Sequence, residues 1–94
     1  MTDVDVTKNE QLSRYEAHLD GSLAGYAEYD DDGSVVTFSH TVTEPEFGGR
    51  GVASALARHS LDEVRAAGRT VRPTCSFYAG WIDKHPDYQD LLAR

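Results

Sequence analysis

The sequence predicts a small α/β domain of the α+β kind: a three-stranded antiparallel meander, then a helix, a parallel strand and a short C-terminal helix. Three observations predict it. Stretches of period-two alternation are separated by Asp20-Gly21 and Asp32-Gly33, dipeptides that suit hairpins because both central positions of a type I′ turn need φ > 0. After the run Gly48-Gly49-Arg50-Gly51 the apolar period changes from two to about 3.6. Gly68 then stops the helical pattern and a short β-branched stretch follows. A strand reached through a helix returns parallel to the sheet.

In chain order, residues 1–9 read as a frayed lead-in to a single domain spanning 1–94. Residues 11–19 read as a strand with Ser13, Tyr15, Ala17 and Leu19 on one face. Residues 22–30 alternate Leu23, Gly25, Ala27 and Tyr29 against Ala24, Tyr26 and Glu28. Residues 34–42, rich in β-branched side chains, make the strongest strand, with Val36, Phe38, His40 and Val42 sharing a face. Residues 52–67 carry Val52, Leu56, Ala57, Leu61, Val64 and Ala67 at helical spacing. A helix of that length runs roughly 24 Å, enough to cross a sheet. Arg58 and Asp62, four apart, are placed to pair weakly on its polar side. Residues 69–75 read as a short strand that Pro73 confines to an edge or a strand end. Residues 76–84 read as a second helix with Ser76 as N-cap and Pro86 as its stop, and 87–92 as a last helical turn.

Composition bounds the function. Ninety-four residues allow one domain with a modest core. No apolar run approaches the ~18 residues of a membrane span. The acidic start Met1-Thr2-Asp3-Val4-Asp5 lacks the basic and apolar regions of a signal peptide, and a single cysteine allows no internal disulfide. A reducing, cytoplasmic setting is therefore expected. A net charge of −7 argues against nucleic-acid binding, which needs a basic surface, and favours cationic partners. Asp30-Asp31-Asp32 reads as a solvated acidic turn.

The chemistry concentrates at two places. Glycines next to a helix start expose backbone amides that have no intrahelical acceptor, and the helix dipole adds positive character. With Arg50, the stretch suits phosphate or pyrophosphate; the alternative is a tight turn, with Arg50 a solvent-exposed cation. Cys75 falls at a strand end just before a helix, where the dipole lowers a thiol's pKa; the alternative is a small buried hydrophobe. His40 reads either as a core histidine or as a proton acceptor. His18, His59 and His85 lack metal-ligand spacing, and no metal site is expected.

The order of elements, with HTVTEPEFGGRGVASAL at its centre, resembles the core of the GNAT acetyltransferase superfamily. The superfamily loop has the form Gln/Arg-x-x-Gly-x-Gly/Ala. Gly51 matches its first glycine and Ala53 its Gly/Ala position; Gly48 stands where Gln or Arg is usual, with Arg50 nearby. His40-Thr41, Gly-Arg-Gly-Val-Ala-Ser, Pro73-Thr74-Cys75-Ser76-Phe77 and His85-Pro86-x-Tyr88 further resemble the minimal single-domain GNAT-like acetyltransferases, over about residues 15–92.

That resemblance implies acetyl-CoA as cosubstrate and an amine as acceptor, such as lysine or a basic peptide. It implies a phosphate cradle at Gly48, Gly49, Arg50, Gly51, Val52, Ala53 and Ser54, with backbone bonds from Val42 and Thr43 to the pantetheine arm. It places Cys75 near the acetyl thioester with His40 across from it. Transfer then runs either through Cys75, with His40 as base, or directly to the amine. Larger relatives use a tyrosine as general acid; the corresponding place here falls near Asp83, leaving Cys75 as the remaining proton donor. The competing reading is a CoA-binding module with little catalysis, acting as a sensor or interaction domain.

Overall fold

A computed structural model describes residues 4–93. Five strands, β1 (Asp5–Asn9), β2 (Arg14–Leu19), β3 (Ser22–Asp31), β4 (Val35–Thr43) and β5 (Thr70–Pro73), form one sheet in the order β1-β2-β3-β4-β5. The first four are an antiparallel meander, and β5 lies parallel to β4. The helices α1 (Val52–Ala66) and α2 (Ser76–Asp83) pack on one face of it. The class read from the sequence is the class observed.

The lead-in is corrected. Asp5–Asn9 is a paired strand, its register running from Asp5 opposite His18 to Asn9 opposite Arg14. Its alternation is only Val4 and Val6, both packed against the core, too short a signal among polar neighbours. Residues 1–3 lie outside the described part. Residues 11–13, read as strand, instead close the β1–β2 turn, where Leu12 N–H bonds the Asn9 side-chain oxygen at 3.1 Å and Ser13 takes φ 52°.

The two hairpin signals are realised. Asp20 and Gly21 take φ 51° and 80°. In the second turn the Asp32 carboxylate accepts from Ser34 N–H at 2.9 Å and Val35 N–H at 2.7 Å, the local bonding that makes aspartate a turn residue. Asp31 of the same acidic run pairs with Arg69, so the run is structural as well as solvated.

Helix α1 buries Val52, Leu56, Ala57, Leu61 and Val64 against Tyr15, Ala17, Ala27, Phe38 and Val71. Gly68, at φ 74°, ends it. In α2, Tyr78 stacks on Phe38 with centroids 4.2 Å apart. Phe77, Tyr78, Trp81 and Ile82 all pack on the core. Arg58 and Asp62 make different contacts from the expected pair: Asp62 accepts from the Tyr88 hydroxyl at 2.7 Å, while Arg58 lies 5.6 Å from the Trp81 ring centroid. The last turn is a 3-10 helix, Pro86–Leu91. After it Leu92 bridges to Val71, and Ala93 N–H bonds the Val71 carbonyl at 2.8 Å, so the chain end covers part of the β5 edge. Among the described residues no helix is long and apolar enough to cross a membrane.

The core holds one polar pair. The Ser60 hydroxyl donates to the Ala57 carbonyl and lies 2.8 Å from the Tyr78 hydroxyl, both residues fully buried. Ser60→Ala should therefore cost about 1–3 kcal/mol, because it strands the Tyr78 hydroxyl. Adding Tyr78→Phe should recover part of that loss. Denaturant unfolding of both singles and the double tests it; additive losses would show that the pair is not coupled.

Candidate functional site

The site begins where β4 and β5 separate. Their parallel register ends at Phe38 opposite Pro73. There the Phe38 carbonyl gathers Thr74 N–H at 3.1 Å, Cys75 N–H at 2.9 Å and the Thr74 hydroxyl at 3.3 Å, and the chain turns into α2. Strand β4 continues to Thr43 paired with β3. A split is left between its second half and the first turn of α2.

Within β4 the pairing slips by one residue. Tyr29 faces Phe38, but Glu28 faces His40, leaving Ser39 as the extra residue of a β-bulge. A bulge reverses which side chains face inward beyond it. Thr41 and Thr43, opposite the buried Ala27 and Gly25, therefore face the helices, and His40, opposite Glu28, faces out and is exposed. The face-sharing read from the sequence is corrected: Val36 and Phe38 are buried on the inner side, while His40 and Val42 lie on the other. A strict period of two cannot register an inserted residue.

Cys75 stands at the mouth of the split, half-buried, as the N-cap of α2 in place of the expected Ser76. Its side chain makes no capping bond. The sulfur lies 3.2 Å from the Thr41 hydroxyl. Burial alone would push the thiol up, yet the Thr41 hydroxyl and the backbone amides of Tyr78, Phe77 and Thr41 outweigh it and hold the thiol below its ordinary value. The Thr41 hydroxyl is the group in contact with the sulfur, and the nearby amides, without a capping bond, add positive character that favours the thiolate. The Tyr78 hydroxyl is committed to Ser60 and, by burial first of all, is held above the usual phenol range.

The glycine stretch follows a 3-10 turn, Pro45–Phe47. Gly49 and Gly51 both take φ 77°, Gly51 as the left-handed N-cap of α1. A Cβ at either would meet nothing within 4 Å, so backbone conformation is what requires glycine there. The first i→i−4 bond of α1 is Ala55 N–H to Gly51 carbonyl, 3.0 Å. The amides of Val52, Ala53 and Ser54 precede it, the orphan donors of a helix start. Val52 is buried and anchors the loop, whereas Gly48, Gly49, Arg50, Gly51 and Ser54 are exposed. The bend is open to solvent rather than sealed.

Between this first turn of α1 and α2 runs an open groove of about 400 Å³, walled by Ser54, Phe77, Gly80, Trp81, Lys84 and His85. It borders the glycine loop at Ser54 and the Cys75 end of α2 at Phe77. Reading the residues in order gave no hint of it, because it forms only when α2 is laid beside α1. Thr41 and Gly25 also escaped that reading, although an isolated strand glycine is a recognised sign of close backbone approach. Among the described residues no group of three or more His, Cys, Asp or Glu is placed to hold a metal.

The mixed sheet thus splits beside a thiol and an open glycine bend. The solution structure of a GCN5-like protein from Staphylococcus aureus superposes with a TM-score of 0.73, over 99% of this chain and 91% of that one, at 21% sequence identity. That likeness establishes the fold. Among curated proteins none matches the sequence significantly. The family model for GCN5-related N-acetyltransferases matches residues 14–91, and the chain belongs to that family. It is thus an acyltransferase by family, and enzymes of this family use acetyl-CoA as cosubstrate and act on an amine.

Proposed function

We propose that the protein is an acetyl-CoA-dependent N-acetyltransferase whose Cys75 is the working thiol, acting on an amine such as lysine or a basic peptide. The observation that carries this is the seating of Cys75 in the β4–β5 split, 3.2 Å from Thr41, beside the open glycine bend. The bend suits a diphosphate: Gly49 and Gly51 take left-handed conformations with nothing within 4 Å of where a Cβ would stand, and the bend opens a fifteen-residue helix whose first amides lack intrahelical acceptors. Gly48, Gly49, Arg50, Gly51, Val52, Ala53 and Ser54 would hold the diphosphate, and Val42 and Thr43 the pantetheine arm. When bound, acetyl-CoA supplies an activated acyl thioester.

The chain's own residues supply the rest. Thr41 and the amides at the start of α2 keep Cys75 in its nucleophilic form. His40, exposed on the outer face of β4 opposite Glu28, would accept the amine's proton. Glu28 lies opposite His40 in the strand register, and Glu44 and Glu46 neighbour the loop; with the net charge of −7 they favour a cationic acceptor.

Titration of the amide spectrum with acetyl-CoA is expected to move the resonances of residues 49–54, Val42 and Thr43, and mass spectrometry to find an acetyl group on Cys75. Unmoved loop resonances would sink the cosubstrate assignment. Binding without turnover on any amine would reduce the protein to a CoA-binding module.

A further inference from the structure

Helix α2 has a second groove on its other flank, of about 270 Å³, lined by Pro73, Ala79, Ile82, Asp83, Gln89 and Leu92. It opens between α2, the end of β5 and the last turn of the chain. Its single charged residue is Asp83, and the Asp83 carboxylate has no hydrogen bond or ion pair among the described residues. Nearby carboxylates are taken: Asp62 accepts from the Tyr88 hydroxyl and Asp90 pairs with Arg65.

The polar side chains of this groove can only accept. Gln89 Nε2 donates to the Ile82 carbonyl at 3.4 Å and the Asp83 carbonyl at 3.2 Å, which leaves its amide oxygen for a ligand. Pro73, Ala79, Ile82 and Leu92 supply apolar wall. A carboxylate and a carbonyl oxygen over aliphatic wall suit an ammonium carried on an alkyl chain.

The groove runs toward the thiol. Cys75, Ala79, Ile82 and Asp83 stand at i, i+4, i+7 and i+8, a single stripe of the helix, and Ala79 N–H bonds the Cys75 carbonyl at 3.1 Å. From Cys75 to Asp83 the helix axis rises about 12 Å. The adjoining β5 edge is closed to a peptide as an added strand, because Leu92 already bridges Val71 and Pro73 has no N–H.

We propose that this groove holds the acceptor and that the acceptor is a linear aliphatic polyamine. One ammonium sits at Asp83 and Gln89, the alkyl chain lies along Ala79, Ile82 and Leu92, and the reacting amine reaches the Cys75 end of α2. The proposal rests on the acetyltransferase reading and narrows its acceptor to amines with a second positive charge about 12 Å away. A net charge of −7 draws such a polycation to the surface.

Spermidine, putrescine, hexylamine and a lysine-containing peptide are compared as acceptors in wild type, Asp83→Asn and Ala79→Leu. Both positions are exposed, so melting temperatures should hold. Wild type should favour spermidine over hexylamine by about tenfold or more in kcat/KM, the scale of one charge-assisted contact. Putrescine, too short to span the groove, should gain little. In Asp83→Asn the spermidine-to-hexylamine ratio should fall to near one, chiefly through KM, and Ala79→Leu should lower spermidine turnover by filling the groove. Spermidine without coenzyme should move the amide resonances of Ala79, Ile82, Asp83, Gln89 and Leu92 in wild type.

Equal rates for spermidine and hexylamine, a spermidine preference that survives Asp83→Asn, or a lysine peptide favoured alike by all three proteins overturns the groove assignment and leaves the acetyltransferase reading standing. Transfer to no amine at all overturns the acetyltransferase reading, and the groove assignment with it.

Discussion

Cys75→Ala is expected to lower amine acetylation by roughly 100-fold or more, the scale of a lost nucleophile or proton-transfer group. Cys75→Ser is the informative companion. Serine preserves the size and the bond to Thr41 but has no accessible anion near neutral pH. If Cys75 acts as thiolate, both variants lose activity alike; if it only fills space, serine should be close to wild type. Acetylation rates against a panel of amines decide it, and a wild-type rate in either variant would remove Cys75 from the mechanism. His40→Ala on the same panel tests the proton acceptor.

The pH dependence has a definite sign. The Cys75 thiol is held below its ordinary value because Thr41 and the α2 amides favour the anion over the opposing effect of burial. Alkylation of Cys75 by iodoacetamide should therefore rise with pH through a midpoint below that of a free thiol. Thr41→Val, which removes the hydroxyl and keeps the shape, should move the midpoint up. Because the folded value is the depressed one, the contribution of this thiolate to stability is present above the unfolded value and is lost as pH falls through the folded one.

The second large effect is on the fold beneath the site. Gly25→Ala is expected to destabilise the domain by about 2–4 kcal/mol, at or above the usual range for overpacking. A Cβ at Gly25 would lie 2.5 Å from the Val42 carbonyl oxygen, 3.0 Å from Val52 Cγ1 and 3.3 Å from Thr43 Cα. The valine methyl can turn away, but the carbonyl belongs to the paired strand and cannot move without opening the β3–β4 ladder. In a domain of this size the melting temperature should fall by roughly 10 °C or more. Val42 and Thr43 flank the split and Val52 anchors the glycine bend, so acetyl-CoA binding should weaken in parallel. A Gly25→Ala protein that melts like wild type would show that β3 and β4 approach less closely than described.

Much of this was legible residue by residue. The hairpins at Asp20-Gly21 and Asp32-Gly33, the helix from Val52 and its stop at Gly68 follow from local conformational preference and apolar spacing, properties that a few neighbouring residues carry by themselves. The glycine bend and the position of Cys75 just ahead of a helix were legible for the same reason. Strand β1 was not, since two valines among polar residues become a strand only when β2 offers its edge.

The amino-acid order alone determined most element types after β1, the turns, the glycine-rich bend and the identity of the thiol. Three-dimensional packing decided which side chains meet there. Ser39 bulges out of register, which turns Thr41 toward Cys75 and His40 away from it; the groove at Gly80 exists only between two helices; and the need for glycine at position 25 is created by the backbone of the next strand. Register and interhelical contact are relations between distant parts of the chain, so no local pattern encodes them, and a slip of one residue is enough to exchange the two faces of a strand.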